Sequence, residues 1–207
     1  RGARVRPAWR LAARRAVMAQ SETMAFPFPV AELVGIGLDG AAGGLRGAER
    51  DARILAALDR ADIAHLAARD VQTLSGGERQ RAQFARALAQ LEAGRAAMRD
   101  DGGGQVLFLD EPVSSLDLGH QLALLEAARA LAAEGIGVVA VLHDLNLAAL
   151  YADRILALSG GRMVAQGAPG EVLDAGLLRD VFAVALPVHR RAGGGAPFVL
   201  PERPGPA

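Results

Sequence analysis

QVLFLDEPVSSLD, residues 105–117, is the stretch on which the fold turns. Val106, Leu107, Phe108 and Leu109 run without a polar interruption into two adjacent carboxylates, Asp110 and Glu111. A strand with one wet face alternates. A continuous apolar run bounded by charge is the pattern of a strand covered on both faces, as at the centre of a parallel sheet. Downstream, 119–134 has helical composition and ends at Gly135, and IGVVAVL at 136–142 supplies the next strand over 137–142. Strand–helix–strand alternation from 105 to 158 predicts an α/β fold with crossover helices. In such sheets ligands sit beyond the carboxyl ends of the strands, which is where Asp110 and Glu111 would lie.

Working outward, a helix is expected from Asn146 to Tyr151, then strands at 154–158 and 162–166 joined as a hairpin by Ser159-Gly160-Gly161. Short helices follow at 169–174 and 176–183. The Gly/Pro-rich end at 191–207 reads as a loose tail. Upstream of the central strand, LSGGERQR at 74–81 opens a long helical run, with a polar, Gly-rich loop from 94 to 104. Further helices are expected at 30–38, 45–60 and 63–68, and a strand at 14–20. The stretch 21–92 is helix-rich and strand-poor, a helical subdomain inserted into the sheet domain. The chain thus divides into 1–20, 21–92, 93–190 and 191–207.

Composition narrows the chemistry. The 207 residues are 51% hydrophobic and 22% charged, enough apolar surface to bury a core. Cysteine is absent, which excludes disulfides, thiolate metal sites and a Cys nucleophile. Formal net charge is zero, so nothing global calls for nucleic acid. Every basic residue is Arg; with no lysine, the sequence holds no P-loop of the Gly-x-x-x-x-Gly-Lys type and no Schiff-base lysine. Residues 1–15 carry six Arg and no acid, read here as a solvated basic face. No apolar run approaches the roughly 18 residues of a membrane span.

Several residues could carry chemistry. Asp110 could hold Mg²⁺, and Glu111 could orient and deprotonate a water. Ser75, Gly76 and Gly77 precede a helix whose free N–H groups and dipole favour an anion. The same stretch also reads as a capping box, Ser75 with Glu78 three residues on, and both readings can hold together. His143, just past a strand, is either structural or a donor to a phosphate. Gln20 alone is uninformative, and Asp117 reads first as a helix N-cap.

Taken in order, Gln20, LSGGERQR at 74–81, VLFLDEP at 106–112, SSLD at 114–117 and His143 resemble the Q-loop, signature, Walker B, D-loop and switch histidine of ABC transporter ATP-binding subunits. The resemblance covers residues from about 14 to 185. AVMAQSETMAFPFPVAELVGIG at 16–37, the Gly-rich loop near 92–104, and the LDLGHQLALLEAARALA and VLHDLNLAALYADRILAL stretches are similar to hemin importers, within a group that also serves iron-siderophores and cobalamin. The resemblance implies a P-loop NTPase-like ABC ATPase core with an inserted helical subdomain, here lacking the N-terminal strands and P-loop. It implies ATP and Mg²⁺ as the bound species and an ATPase energising an importer. Ser75, Gly76 and Gly77 would contact the γ-phosphate of a nucleotide on a second, identical subunit. Asp110 and Gln20 would serve Mg²⁺, Glu111 would be the general base, His143 would steady the γ-phosphate, and Asp117 would communicate across the dimer. The helical subdomain would dock a transmembrane permease dimer on the cytoplasmic face of the bacterial inner membrane. A periplasmic binding protein would be an indirect partner. Two alternatives stand beside this: a non-catalytic remnant that docks a permease or an intact subunit, and a soluble ABC protein of DNA repair or cluster assembly. The absence of coiled-coil heptads counts against the latter. An unrelated α/β enzyme leaves LSGGERQR unexplained.

Overall fold

The computed structural model describes residues 8–20, 26–42, 46–98, 103–190 and 193–201. The chain forms two compact units, Arg1–Val141 and Leu142–Ala207. The first is built on three parallel strands, β1 (Arg15–Met18), β2 (Val106–Asp110) and β3 (Gly137–Val141), in the order β1-β2-β3. The apolar 106–109 run is therefore the central strand, flanked on both sides by hydrogen-bonded neighbours.

One face of this sheet carries the core. Ala16, Met18, Leu107 and Leu109 are buried on it. The other face carries the row Val17, Phe108 and Val139, aligned across the three strands, and these side chains are 44%, 40% and 52% exposed. The run of four apolar residues predicts a strand covered on both faces; among the described residues only one face is covered.

Helix α1 (Ala8–Arg14) leads into β1, and α2 (Val30–Ala42), α3 (Ala48–Arg60) and α4 (Gly76–Ala97) precede β2. α4 packs on α2, α1, α3 and β1, so it joins the helical stretch to the sheet. Between β2 and β3 runs α5 (Leu118–Ala133), which packs on β3. Two buried or half-buried amides fix the junction of α1 and β1. Gln105 Nε2 donates to Ala13 O and Leu91 O, both at 2.8 Å. Gln90 Nε2 donates to Ala12 O and Arg15 O, both at 2.9 Å.

Several local expectations change. The strand expected at 14–20 is only four residues long: Arg14 closes α1 at one end, and the strand stops at Met18, before Gln20, at the other. The expected 30–38 helix continues to Ala42, and the 63–68 helix contracts to a 3₁₀ turn at Ala64–Leu66. The loop expected from Gly94 starts later, since α4 runs through to Ala97. A Cβ at Gly94 would lie 2.1 Å from Ala13 O, so glycine here serves helix-to-backbone contact rather than a turn.

The second unit contains α6 (Leu145–Tyr151), the antiparallel hairpin β4 (Ile155–Ser159) and β5 (Arg162–Gly167), α7 (Pro169–Val172), α8 (Ala175–Phe182), and a short antiparallel pair, β6 (Val188–His189) with β7 (Phe198–Val199). Its core joins Ala149, Leu173, Leu178 and Val199. The loose tail expected after Arg191 is corrected for residues 193–201. Val199 is 7% exposed, and His189 and Phe198 stack with centroids 5.4 Å apart. The Gly/Pro content hides a two-residue strand anchored by one apolar side chain.

Candidate functional site

Parallel pairing brings the end of β1 beside the end of β2, with Met18 opposite Leu109. Two residues beyond β1, Gln20 lies at the surface, and its Nε2 donates to Glu111 Oε2 at 2.7 Å. Asp110 closes β2 on the open face of the sheet, in register with Val141. Its exposed carboxylate has no hydrogen-bond partner among the described residues. Glu111 follows at φ 48°, a left-handed conformation unusual for a residue with a side chain. The chain therefore turns sharply between the two carboxylates.

The carbonyl oxygen of Glu111 is held by three donors. Ser114 N and Ser114 Oγ approach it at 3.3 and 3.2 Å, and Gln80 Nε2 at 3.3 Å. Gln80 lies on α4, so the turn after β2 is tied directly to the first turns of that helix.

The N-terminus of α4 is the second component. Ser75 Oγ accepts from Glu78 N at 3.2 Å, and Glu78 Oε2 accepts from Ser75 N at 2.7 Å, a complete capping box. The Ser75 backbone N–H leads in holding the Glu78 carboxyl below its ordinary range, the Ser75 hydroxyl comes next, and Arg69 adds attraction. Ser75 Oγ accepts from the start of the helix, and its hydroxyl also acts on the Glu78 carboxylate. The first N–H groups of the helix have no intrahelical partner and point the same way. Gly76 and Gly77 pack on the loop after β2: a Cβ on Gly76 would lie 3.2 Å from Ser115 Cβ, and one on Gly77 would lie 3.1 Å from Ser115 O.

Asp117 is the N-cap of α5. Its Oδ1 accepts from His120 N at 3.0 Å, and its Oδ2 lies 2.8 Å from His120 Nδ1. The backbone bond from His120 leads in holding this carboxyl below its ordinary range. His120 Nε2 also lies 3.8 Å from Asp62 Oδ2, which pairs with Arg81.

The first unit thus contains Gln20, Asp110, Glu111, Ser75, Gly76, Gly77 and Asp117; Gln20 meets Glu111 directly, and Gly76 and Gly77 pack on Ser115 in the loop after β2. His143 belongs to the second unit, exposed, one residue before the Asp144 that caps α6. Sequence reasoning missed Gln80 as a site residue. The available signal was an amide four residues before Phe84, on the buried side of α4.

A parallel sheet with two carboxylates at the end of its central strand, packed through a Ser-Gly-Gly helix start, defines a class. Residues 5–114 match the ABC transporter family, and the chain belongs to that family. Among curated relatives it is 52% identical over 192 residues to the hemin import ATP-binding protein HmuV of Rhodopseudomonas palustris (strain ATCC BAA-98 / CGA009), covering 93% of this chain and 68% of that one. It is similar at 25% identity and a TM-score of 0.65 to the dimeric ATP-binding cassette MJ0796 bound to ADP and Pi in a post-hydrolysis state, over 76% of this chain and 63% of that one. A structure described as a metal-chelate type ABC transporter in an inward-facing conformation shares the fold, with TM-score 0.71 and 24% identity over 90% of this chain and 70% of that one.

Proposed function

We propose that this chain is the ATP-hydrolysing subunit of an ABC importer and that the cargo is hemin. The cargo follows the relative named for hemin import. The hydrolytic role is carried by one observation: Glu111, at the carboxyl end of the central strand, is held by Gln20 at 2.7 Å. In the proposed reaction a water oxygen attacks the γ-phosphorus, and the bond from phosphorus to the β-phosphate bridging oxygen breaks. ADP and inorganic phosphate result, and Glu111 takes the proton from the attacking water. Phosphoryl transfer asks mainly for position and charge stabilisation, so the residues around Glu111 matter as much as its basicity.

Ser75, Gly76 and Gly77 offer hydroxyl and backbone donors to the γ-phosphate of a nucleotide held by a second copy of the chain. His143 donates to the γ-phosphate, and Asp117, fixed as a cap, faces the subunit contact. For Mg²⁺ the donor set is suitable: Asp110 is an exposed carboxylate at a strand end without a partner among the described residues, and Mg²⁺ is typically held by one or two carboxylates plus phosphate oxygens. Asp110 and Gln20 would hold it, and when bound it would neutralise charge on the β- and γ-phosphates. The helical stretch before β2 would dock a permease dimer at the cytoplasmic face of the inner membrane, with a periplasmic binding protein acting on the far side. No helix among the described residues is long and apolar enough to cross a membrane.

In a second reading, supported by the capped helix start at Ser75, the chain contributes its Ser-Gly-Gly helix start to a partner's nucleotide without hydrolysing one itself. Reconstitution with the permease in proteoliposomes separates the two. ATP-dependent hemin accumulation with phosphate release supports the first reading. Accumulation of cobalamin or a ferric siderophore in place of hemin overturns the cargo. Nucleotide binding without phosphate release supports the second.

A further inference from the structure

Gln80 is 9% exposed and uses both ends of its amide on the loop after β2. Its Oε1 accepts from Ser115 N at 3.1 Å, and its Nε2 donates to Ser114 Oγ at 2.9 Å and to Glu111 O at 3.3 Å. A buried amide satisfied at both ends is geometrically demanding, and loss of one partner strands the others. The peptide it holds belongs to Glu111, whose φ of 48° costs energy and persists only where surrounding bonds impose it. Gly76 and Gly77, one turn before Gln80, lie against Ser115 so closely that no side chain fits without movement. The helix start and the carboxylate turn are therefore joined by packing and by the Gln80 side chain.

We propose that Gln80 is a positioning residue for Glu111: it imposes the left-handed turn that aims the carboxylate, and it makes the Ser75-Gly76-Gly77 turn and the 111–117 loop move as one body. The kinetic consequence rests on the reading of Glu111 as the general base; the structural consequence does not. A displacement in a nucleotide subsite of one subunit is transmitted through Gln80 to the base of the other nucleotide's site. A structural residue of the core would change stability without changing where Glu111 points.

The test uses the full chain in the wild-type, Gln80→Leu, Ser114→Ala and Glu111→Gln forms. Leucine nearly preserves the volume and removes every polar contact of the amide; Ser114→Ala removes one partner from an exposed loop. Amide exchange at Ser115 is expected to quicken at least about tenfold in Gln80→Leu, and less in Ser114→Ala, with the middle of α4 unchanged. In the assembled transporter, kcat for ATP is expected to fall about tenfold or more in Gln80→Leu with KM within about twofold, the mark of lost positioning rather than lost binding. Unchanged Ser115 exchange in whichever variants fold overturns the inference. So does wild-type kcat in Gln80→Leu while Glu111→Gln is inactive, which leaves the base assignment intact. Undiminished turnover in Glu111→Gln overturns the base assignment alone, and Ser115 exchange then still decides the role of Gln80 in the turn.

Discussion

Gln20 Nε2 donates to Glu111 Oε2 at 2.7 Å, across 91 residues of sequence. The contact exists because β1 and β2 are parallel and end level with each other. Gln20 is exposed, so its amide contributes little to the core and much to the direction of the carboxylate. Gln20→Ala is expected to lower turnover about tenfold or more while shifting the Tm by less than about 2 °C. A stopped assay of phosphate release beside a melting curve checks both halves. Wild-type turnover would remove Gln20 from the site.

Glu111→Gln keeps the shape of the side chain and removes its charge and its ability to take a proton from water. Hydrolysis is expected to fall by about 100-fold or more, with nucleotide binding retained. Equilibrium binding of a fluorescent ATP analogue, measured with phosphate release, separates the two effects. Loss of binding in step with hydrolysis would mean that the carboxylate holds the nucleotide rather than serving as base.

Gly94 tests the packing that carries the site. Its α-carbon lies against the carbonyl of Ala13, and an added Cβ would stand 2.1 Å from that oxygen. The neighbour is backbone at the junction of α1 and β1, already bound by Gln105 and Gln90, so it cannot swing away. Gly94→Ala is expected to destabilise the chain by about 3 kcal/mol despite the helix preference of alanine, lowering Tm by roughly 6–10 °C. A gain in Tm would show that α4 can lift from the sheet without cost.

Which features could be read from the sequence follows from how local their causes are. The 106–110 strand, the capping box of Ser75 and Glu78, the Asp117 cap and the β4–β5 hairpin each depend on a few adjacent residues, and each was legible. Gly94 reads as a loop residue in the sequence because its reason is Ala13, 81 positions earlier in the chain, and contact of that kind leaves no local pattern. The strand at Phe198–Val199 was hidden by glycine and proline because one buried valine and one amide hold it. The motif order placed Glu111 and Gln20 as site residues, but their direct hydrogen bond required the register of β1 on β2. Gln80 lies inside LSGGERQR, yet its role depends on which way α4 turns that position.

Acid should loosen the helix start that presents Ser75, Gly76 and Gly77. The Glu78 carboxyl is held below its ordinary 4.5 chiefly by the Ser75 backbone N–H and then by the Ser75 hydroxyl. A folded-state value below the unfolded one contributes stability that is fully present above about 4.5 and is lost as pH falls through the folded value. Glu78→Gln should therefore narrow the stability difference from wild type only below that range. Urea midpoints of both forms between about pH 3 and pH 7 provide the check. A difference that stays constant down to the lowest pH would assign the capping bond to the dipole of the side chain rather than to its charge.

Asn146 holds the returning end of the second unit. Its Nδ2 donates to Val199 O at 3.0 Å, and its Oδ1 accepts from Val199 N at 2.7 Å, so one amide replaces a strand neighbour for β7. Val199 then packs with Ala149, Leu173 and Leu178. Asn146→Ala leaves both backbone groups of Val199 without this partner, and a buried unsatisfied group costs about 1–3 kcal/mol. The loss should appear locally: faster amide exchange at Val199 and earlier proteolytic cleavage within residues 193–201, with the strands of the first unit unaffected. Removal of residues 193–201 should go further, since it exposes the apolar side chains that Val199 covers and is expected to make the chain prone to association. If Asn146→Ala exchanges like the wild type at Val199, the apolar contacts alone hold the segment, and only the truncation will release it.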